Sequence, residues 1–441
     1  MWCPLLSYLI LFCYIVNYVI CTSNSNLVNK MAKHLNCSEK VIENIFQGSI
    51  LHNGNATENN YNYLKISHDK PIRIGILGGS ISCGHGATNN NGYAVTLEKL
   101  NIHDEREIKV TNGAIPATGA FVANVCTNTI LDEVDIIIVE YSINEPFQHV
   151  VHDLLLNLLQ LPSKPIIIVL DIFSEWKGGL RGKLNVDDNS PYELTGATKA
   201  AIHLDISVIS MRSALYPFYN KGVYPFSTEM LFPCVKQTPN CLQHMQDIGH
   251  DIAAYILYNY ISGLYSRKGS TIIHYETKKY PSRNKFSICN SGFCLGSCTP
   301  YRKGLLEHIQ SVHSLSALVI GPSEHWDIVH PQGNECKIGL RTNTINAPIT
   351  FGFHAEKSCN LVLTALACSS PPYCSLGSFD VSYHNDTKYI EAYALHQHNV
   401  QAVVWRASVT PGYHVITIVS SSKSTSGYNG VELIGLYCMG K

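Results

Sequence analysis

Between residues 70 and 265 the apolar positions come as short continuous runs, not as strict alternation. Five such runs, at 72–77, 107–110, 134–140, 165–170 and 206–210, are rich in Ile and Val and are bounded by Gly, Asn, Asp or Ser, which predicts buried strands. Between them lie stretches with helical spacing at 93–100, 120–131, 151–161 and 193–204, and a last one at 248–265 closes the unit. Strands that are apolar on both faces and alternate with helices predict a parallel sheet covered on each side, a three-layer α/β/α arrangement. After about residue 313 the pattern changes to period two. Alternating runs at 349–353, 360–365, 400–405 and 413–419, broken by Gly, Pro, Asn and Ser, predict an antiparallel β-sandwich over 313–441. The Asn-rich segment 22–69 reads as an irregular extension with one short helix near 40–46, and 266–312 as a Cys-containing connector.

Composition narrows the classes. At roughly 150 residues per domain, 441 residues make about three units, or two with an extension. With 45% hydrophobic residues the chain can build sizeable cores, and collagen-like, coiled-coil and disordered readings are excluded. A formal net charge of −1 removes the electrostatic footprint expected of a nucleic-acid binder.

The first 20 residues contain no charged side chain, which fits a secretory signal peptide ending near Cys21 or a membrane anchor. Lys30 and Lys33 follow the run and no basic residue precedes it, so cleavage is the favoured expectation over an anchor with the rest outside. Either way the rest of the chain is expected in the secretory lumen or outside the cell, touching a membrane only if the leader is kept. Of 16 cysteines, Cys3, Cys13 and Cys21 fall in this leader and leave thirteen, which predicts several disulfides and at least one odd thiol. Cys289, Cys294 and Cys298 lack a matching pair at zinc-finger spacing, so no metal site is expected of them. Sequons at Asn36, Asn55 and Asn385 suit a glycoprotein.

Four segments of the α/β unit follow strands or open the last helix, where open α/β sheets place their sites. In Gly78-Gly79-Ser80-Ile81-Ser82-Cys83-Gly84, a serine in a glycine-rich strand-to-helix turn can present its hydroxyl at the sheet edge beside a backbone N–H. A phosphate-binding turn is the other reading, but neither glycine-rich nucleotide motif is met. Asn112 to Gly119 is a small-residue turn that either brings backbone N–H groups to a ligand or is simply close-packed. Asn144, just past the run ending at Glu140, can offer a side-chain amide to a developing oxyanion or can be an ordinary turn residue. In His244 to His250 either histidine could serve as a base, although with 20 histidines in the chain one alone decides little.

Taken together and in this order, the four segments resemble the SGNH/GDSL hydrolase superfamily of esterases and acyl hydrolases, over about residues 70–265. The nearest pattern is that of its eukaryotic secreted members, which carry an LGGS-type turn. The resemblance implies a flavodoxin-like sheet and assigns the nucleophile to Ser80 and the base to His244. The oxyanion donors it implies are the backbone N–H groups of Ser80 and Ala117 with the Asn144 amide. It also places Gly249 and His250 at the family's Gly-His pair, and implies acyl transfer from an ester to water without metal or cofactor, an acetylated carbohydrate being a plausible substrate. One departure stands out. The family's Asp three residues before the catalytic histidine is Cys241 here, so the usual orienting carboxylate is missing. Cys241 could instead pair with Cys234 and tie down the histidine loop. Gly79 and Glu145 stand where Asp is common. The competing expectation is a catalytically impaired surface or carbohydrate-binding protein on the same fold. Trp326, Tyr373, Tyr383, Tyr389 and Trp405 could stack on sugars, although core packing is the commoner fate of such residues.

Overall fold

The computed structural model describes residues 25–54, 71–100, 107–116, 118–126, 134–145, 147–161, 163–172, 174, 194–219, 222–232, 244–266, 293–294, 320–329, 339–355, 358–367, 377–391, 400–424 and 430–440. Two helices come first, α1 (Ser25–Leu35) and α2 (Glu39–Ser49), followed by a short strand β1 (Ile50–His52). This corrects the reading of 22–69 as largely irregular. In α1 the buried residues are Leu27, Val28, Met31, Ala32 and Leu35, a one-faced stripe at helical spacing, while Asn26 and Asn29 are exposed. The Ser38 side chain caps α2 by accepting from the Val41 N–H.

The expected parallel strands follow: β2 (Ile72–Gly78), β3 (Ile108–Asn112), β4 (Ile136–Glu140), β5 (Ile166–Asp171) and β6 (Ser207–Ser210). Their order across the sheet is β1-β6-β5-β4-β2-β3, with β1 antiparallel at one edge. Without β1 this is the flavodoxin-like order, in which the chain moves outward from β2 in both directions. The helices between and after the strands are α3 (Tyr93–Lys99), α4 (Ala120–Cys126), α5 (Gln148–Leu159), α6 (Gly196–His203), α7 (Met211–Tyr219), α8 (Thr228–Leu231) and α9 (Asp247–Ser266).

The continuous Ile/Val runs are explained by two separate cores. Ile136 and Ile138 of β4 join Ile74 and Ile76 of β2 beneath α1, α2, α3, α7 and α9. Ile137 and Val139 point the other way, into a core with α4, α5 and α6. Alternate residues of one strand therefore fill opposite layers, and no polar alternation is left to see. At the carboxyl edge of the sheet Arg212, almost fully buried, pairs with the equally buried Asp171 at 3.3 Å. The Ser210 hydroxyl donates to the second Asp171 oxygen at 2.7 Å.

The C-terminal strands are β7 (Phe293–Cys294), β8 (Asp327–Val329), β9 (Gly339–Thr342), β10 (Pro348–Ala355), β11 (Cys359–Ala367), β12 (Ser378–Tyr383), β13 (Asp386–Glu391), β14 (Val400–Val409), β15 (Gly412–Ser421) and β16 (Val431–Gly440). They form two antiparallel sheets, β10-β15-β12-β13 and β14-β11-β16-β9-β8, with β7 added on β16. Phe351, Phe379, Ile416 and Ile418 of the first sheet meet Leu361, Leu363, Val431 and Leu433 of the second in one core, as a sandwich requires. Trp326, Tyr383 and Trp405 belong to that core, whereas Tyr389 is exposed. Tyr373 lies outside the described residues. No described helix is long and apolar enough to cross a membrane.

Candidate active site

Because β2 and β4 are parallel neighbours, with Gly78 paired to Glu140, the segments that follow them emerge side by side at the carboxyl edge. This is the point where the chain changes direction across the sheet, the usual crevice of such folds. Ser80 stands two residues past β2 and is 7% exposed. Its turn is closed by backbone bonds from Cys83 N–H to Gly79 C=O and from His85 N–H to Ser80 C=O, so the hydroxyl is not needed to hold the turn.

His244 reaches the same point from the segment before α9. Its Nε2 lies 2.8 Å from Ser80 Oγ. Gly86, at φ +92°, allows this approach: a Cβ there would sit 2.0 Å from the Met245 carbonyl oxygen and 2.9 Å from His244 Cβ. Burial, with His85 and His250 nearby, lowers the His244 imidazole from 6.5 to about 3, so it is neutral at pH 7. The His85 ring stands edge-on to it, centroids 5.4 Å apart. Among the described residues no carboxylate is hydrogen-bonded to His244. Asp247, the nearest acid in sequence, turns away and accepts from the Thr88 N–H at 2.7 Å and the Thr88 hydroxyl at 2.6 Å.

Asn144 lies in the turn after β4, and its carboxamide rests against Gly79. A Cβ on Gly79 would stand 2.4 Å from Asn144 Nδ2 and 2.7 Å from its Cγ. A side chain at this position would therefore displace the Asn144 carboxamide. Glu145 packs likewise over Gly119, where a Cβ would lie 2.4 Å from its Oε2. The structure thus brings Ser80, His244 and Asn144 to one edge. Ala117, Cys234 and Cys241 lie outside the described residues, as do Asn55 and Cys289 and Cys298 of the C-terminal cysteine cluster. Among the described residues no group of three or more His, Cys, Asp or Glu is placed to hold a metal ion.

Two structural roles were not predicted. Buried His250 accepts from the Tyr93 N–H at 3.2 Å through Nδ1 and meets the His85 carbonyl at 3.2 Å through Nε2, which makes it a clamp on the serine turn and not a second base. Glu140, fully buried at the end of β4, accepts from the Ser82 hydroxyl at 2.9 Å. The only sequence signal for Glu140 was an acid closing an otherwise apolar strand.

No family model matches the chain, and no curated protein matches it. Among solved structures it is similar to a two-domain esterase (CEX) active on acetylated mannans, co-crystallised with mannopentaose. That match has a TM-score of 0.57 and 15% identity, and covers 90% of this chain and 98% of the other. A second structure of that esterase gives a TM-score of 0.58 at 15% identity, over 90% of this chain and 99% of the other. At this identity the likeness is one of fold, along nearly the whole length of both chains.

Proposed function

We propose that this protein is a serine esterase that hydrolyses acyl esters, with Ser80 as nucleophile and His244 as general base. The observation that carries the reading is the 2.8 Å approach of His244 Nε2 to Ser80 Oγ at the sheet's crevice. His244 takes the hydroxyl proton as Oγ attacks the ester carbonyl, then passes it to the departing alcohol oxygen. The acyl group stays on Ser80 until water, deprotonated by the same imidazole, attacks it and releases the acid. The Ser80 N–H, the Ala117 N–H and Asn144 Nδ2 are the donors assigned to the oxyanion. In this reading the chain is a relative of the SGNH/GDSL hydrolases and the substrate is an acetylated polysaccharide. Similarity to an esterase active on acetylated mannans across both folds supports that choice. We also place the chain in the secretory pathway or outside the cell. The uncharged apolar leader and the thirteen cysteines that follow it support this placement.

The expected result is release of acetate from acetylated mannan at a rate above that from p-nitrophenyl acetate. Turnover of the small ester alone would remove the glycan from the proposal, and turnover of neither would remove the esterase.

The lowered His244 sets a further expectation. Protonated imidazole cannot accept from Ser80, so kcat/KM falls only as the pH drops below the free-enzyme value, toward about 3 and not at 6.5. The unfolded chain binds this proton at its ordinary value, near 6.5. The stability linked to this group is therefore complete above that pH and is lost as the pH falls toward 3. Rates in acid are accordingly read on protein whose fold is checked by circular dichroism. An acid limb at 6.5 or higher would contradict the buried histidine described above.

A second reading, a binding protein with an impaired site, is favoured by Cys241 in place of the orienting acid and by the lack of a carboxylate on His244 among the described residues. Well-folded protein that turns over no ester would support it.

A further inference from the structure

We propose that Glu140 is a positioning residue that holds Ser80 ready for attack by anchoring the nucleophile turn on both sides of the serine. The inference rests on Ser80 being the nucleophile. Glu140 ends β4 in register with Gly78, directly beside the start of the turn. The Gly79 backbone N–H, just before Ser80, donates to its carboxyl. The Ser82 hydroxyl, two residues beyond Ser80, donates to Oε2 at 2.9 Å. The serine is thus bracketed by two bonds to one carboxyl group, which is itself fixed by the Ser142 hydroxyl at 3.4 Å on Oε1.

The sequence around the turn is built to allow this. Ser82 can fold down over the strand only because residue 78 is glycine: a Cβ there would stand 2.3 Å from Ser82 Oγ. Tyr93 supports the hydroxyl from the other side, its OH 2.7 Å from Ser82 Oγ. The Ser82 carbonyl accepts from Asn112 Nδ2 at 2.7 Å. A buried acid is costly unless its oxygens are bonded, and here its donors come from the residues flanking the nucleophile. Burial also pushes the Glu140 carboxyl up to about 8, so at pH 7 one oxygen carries a proton toward a neighbouring hydroxyl, as the NH2 end of a glutamine amide would. Misplacing a nucleophile by about 1 Å can cost about 100-fold in rate, so an anchor of this kind acts on kcat without touching substrate.

The test compares Glu140→Leu, which removes both oxygens, with Glu140→Gln, which keeps the shape and one acceptor oxygen. Each is measured for kcat, KM and hydrogen exchange of peptides spanning 79–85. Glu140→Leu is expected to lower kcat by about 10- to 100-fold at unchanged KM, and to speed exchange in 79–85 without changing the core strands. Glu140→Gln is expected to stay within about threefold of the parent in kcat. If the leucine variant does not fold, Ser82→Ala removes one bracket and leaves Glu140 in place, with a smaller fall in kcat and the same local exchange. The inference is overturned if Leu and Gln lose activity equally. It is overturned too if the melting temperature falls while kcat per folded molecule and exchange in 79–85 stay at the parent values. If the parent turns over no ester, the nucleophile assignment fails first, and the exchange arm still decides whether Glu140 holds the turn.

Discussion

Ser80→Ala lowers ester turnover by about 10⁴-fold or more and leaves the fold in place. Both halves of this expectation follow from the turn. The Ser80 hydroxyl faces His244 Nε2, and the turn itself is closed by backbone groups, Cys83 to Gly79 and His85 to Ser80. Deleting Oγ removes the atom proposed to carry the acyl group, and it leaves the buried His244 Nε2 without its partner, at a cost of about 1–3 kcal/mol. His244→Ala removes the proton acceptor and is expected to fall in the same range, since the two residues act as a unit and their losses do not add. Turnover of Ser80→Ala within tenfold of the parent would place the nucleophile elsewhere.

Gly79→Ala is expected to lower kcat by about 10²- to 10³-fold with little loss of stability, a separation that most substitutions beside an active site do not give. The new Cβ meets the Asn144 carboxamide, with Nδ2 at 2.4 Å and Oδ1 at 2.8 Å. These atoms are the end of a side chain, so the clash is relieved by swinging the amide away at small energetic cost. The donor then no longer points at the oxyanion, and losing one such donor costs about 3–4 kcal/mol of transition-state stabilisation. Asn144→Ala should lose the same factor, and the double variant should lose no more than either alone. Kinetics and thermal melts on the three variants check this. A double variant losing the product of the two single losses would mean that Gly79 and Asn144 act separately.

The architecture was largely legible because the strands of a doubly covered sheet are nearly pure Ile and Val, as in Ile136 to Val139, and few other structures demand that pattern. Strand limits shifted by one or two residues, where hydrogen bonding and not composition decides the end: β3 begins at Ile108 and runs to Asn112, and β5 takes in Asp171. The N-terminal helices were obscured by asparagines that the fold leaves on the outer face of α1. Ser80, Asn144 and His244, which the fold brings to one edge, stood out in the sequence because each follows a strand or precedes a helix. Glu140 and His250 were not read as clamps, because their roles depend on which backbone groups the folded chain brings to them: the Gly79 N–H for one, the Tyr93 N–H and His85 carbonyl for the other. Asp247 shows the reverse hazard, an acid close to His244 in sequence whose carboxylate is spent on Thr88.

The central claim is that Ser80 is an activated nucleophile although no carboxylate among the described residues orients His244. Treating the full chain with a fluorophosphonate and locating the adduct by peptide mass spectrometry tests it most directly. The account predicts one adduct, on Ser80, lost in Ser80→Ala and slowed at least 100-fold in His244→Ala. Folded protein that stays unlabelled, or that carries its adduct on another serine, would contradict it.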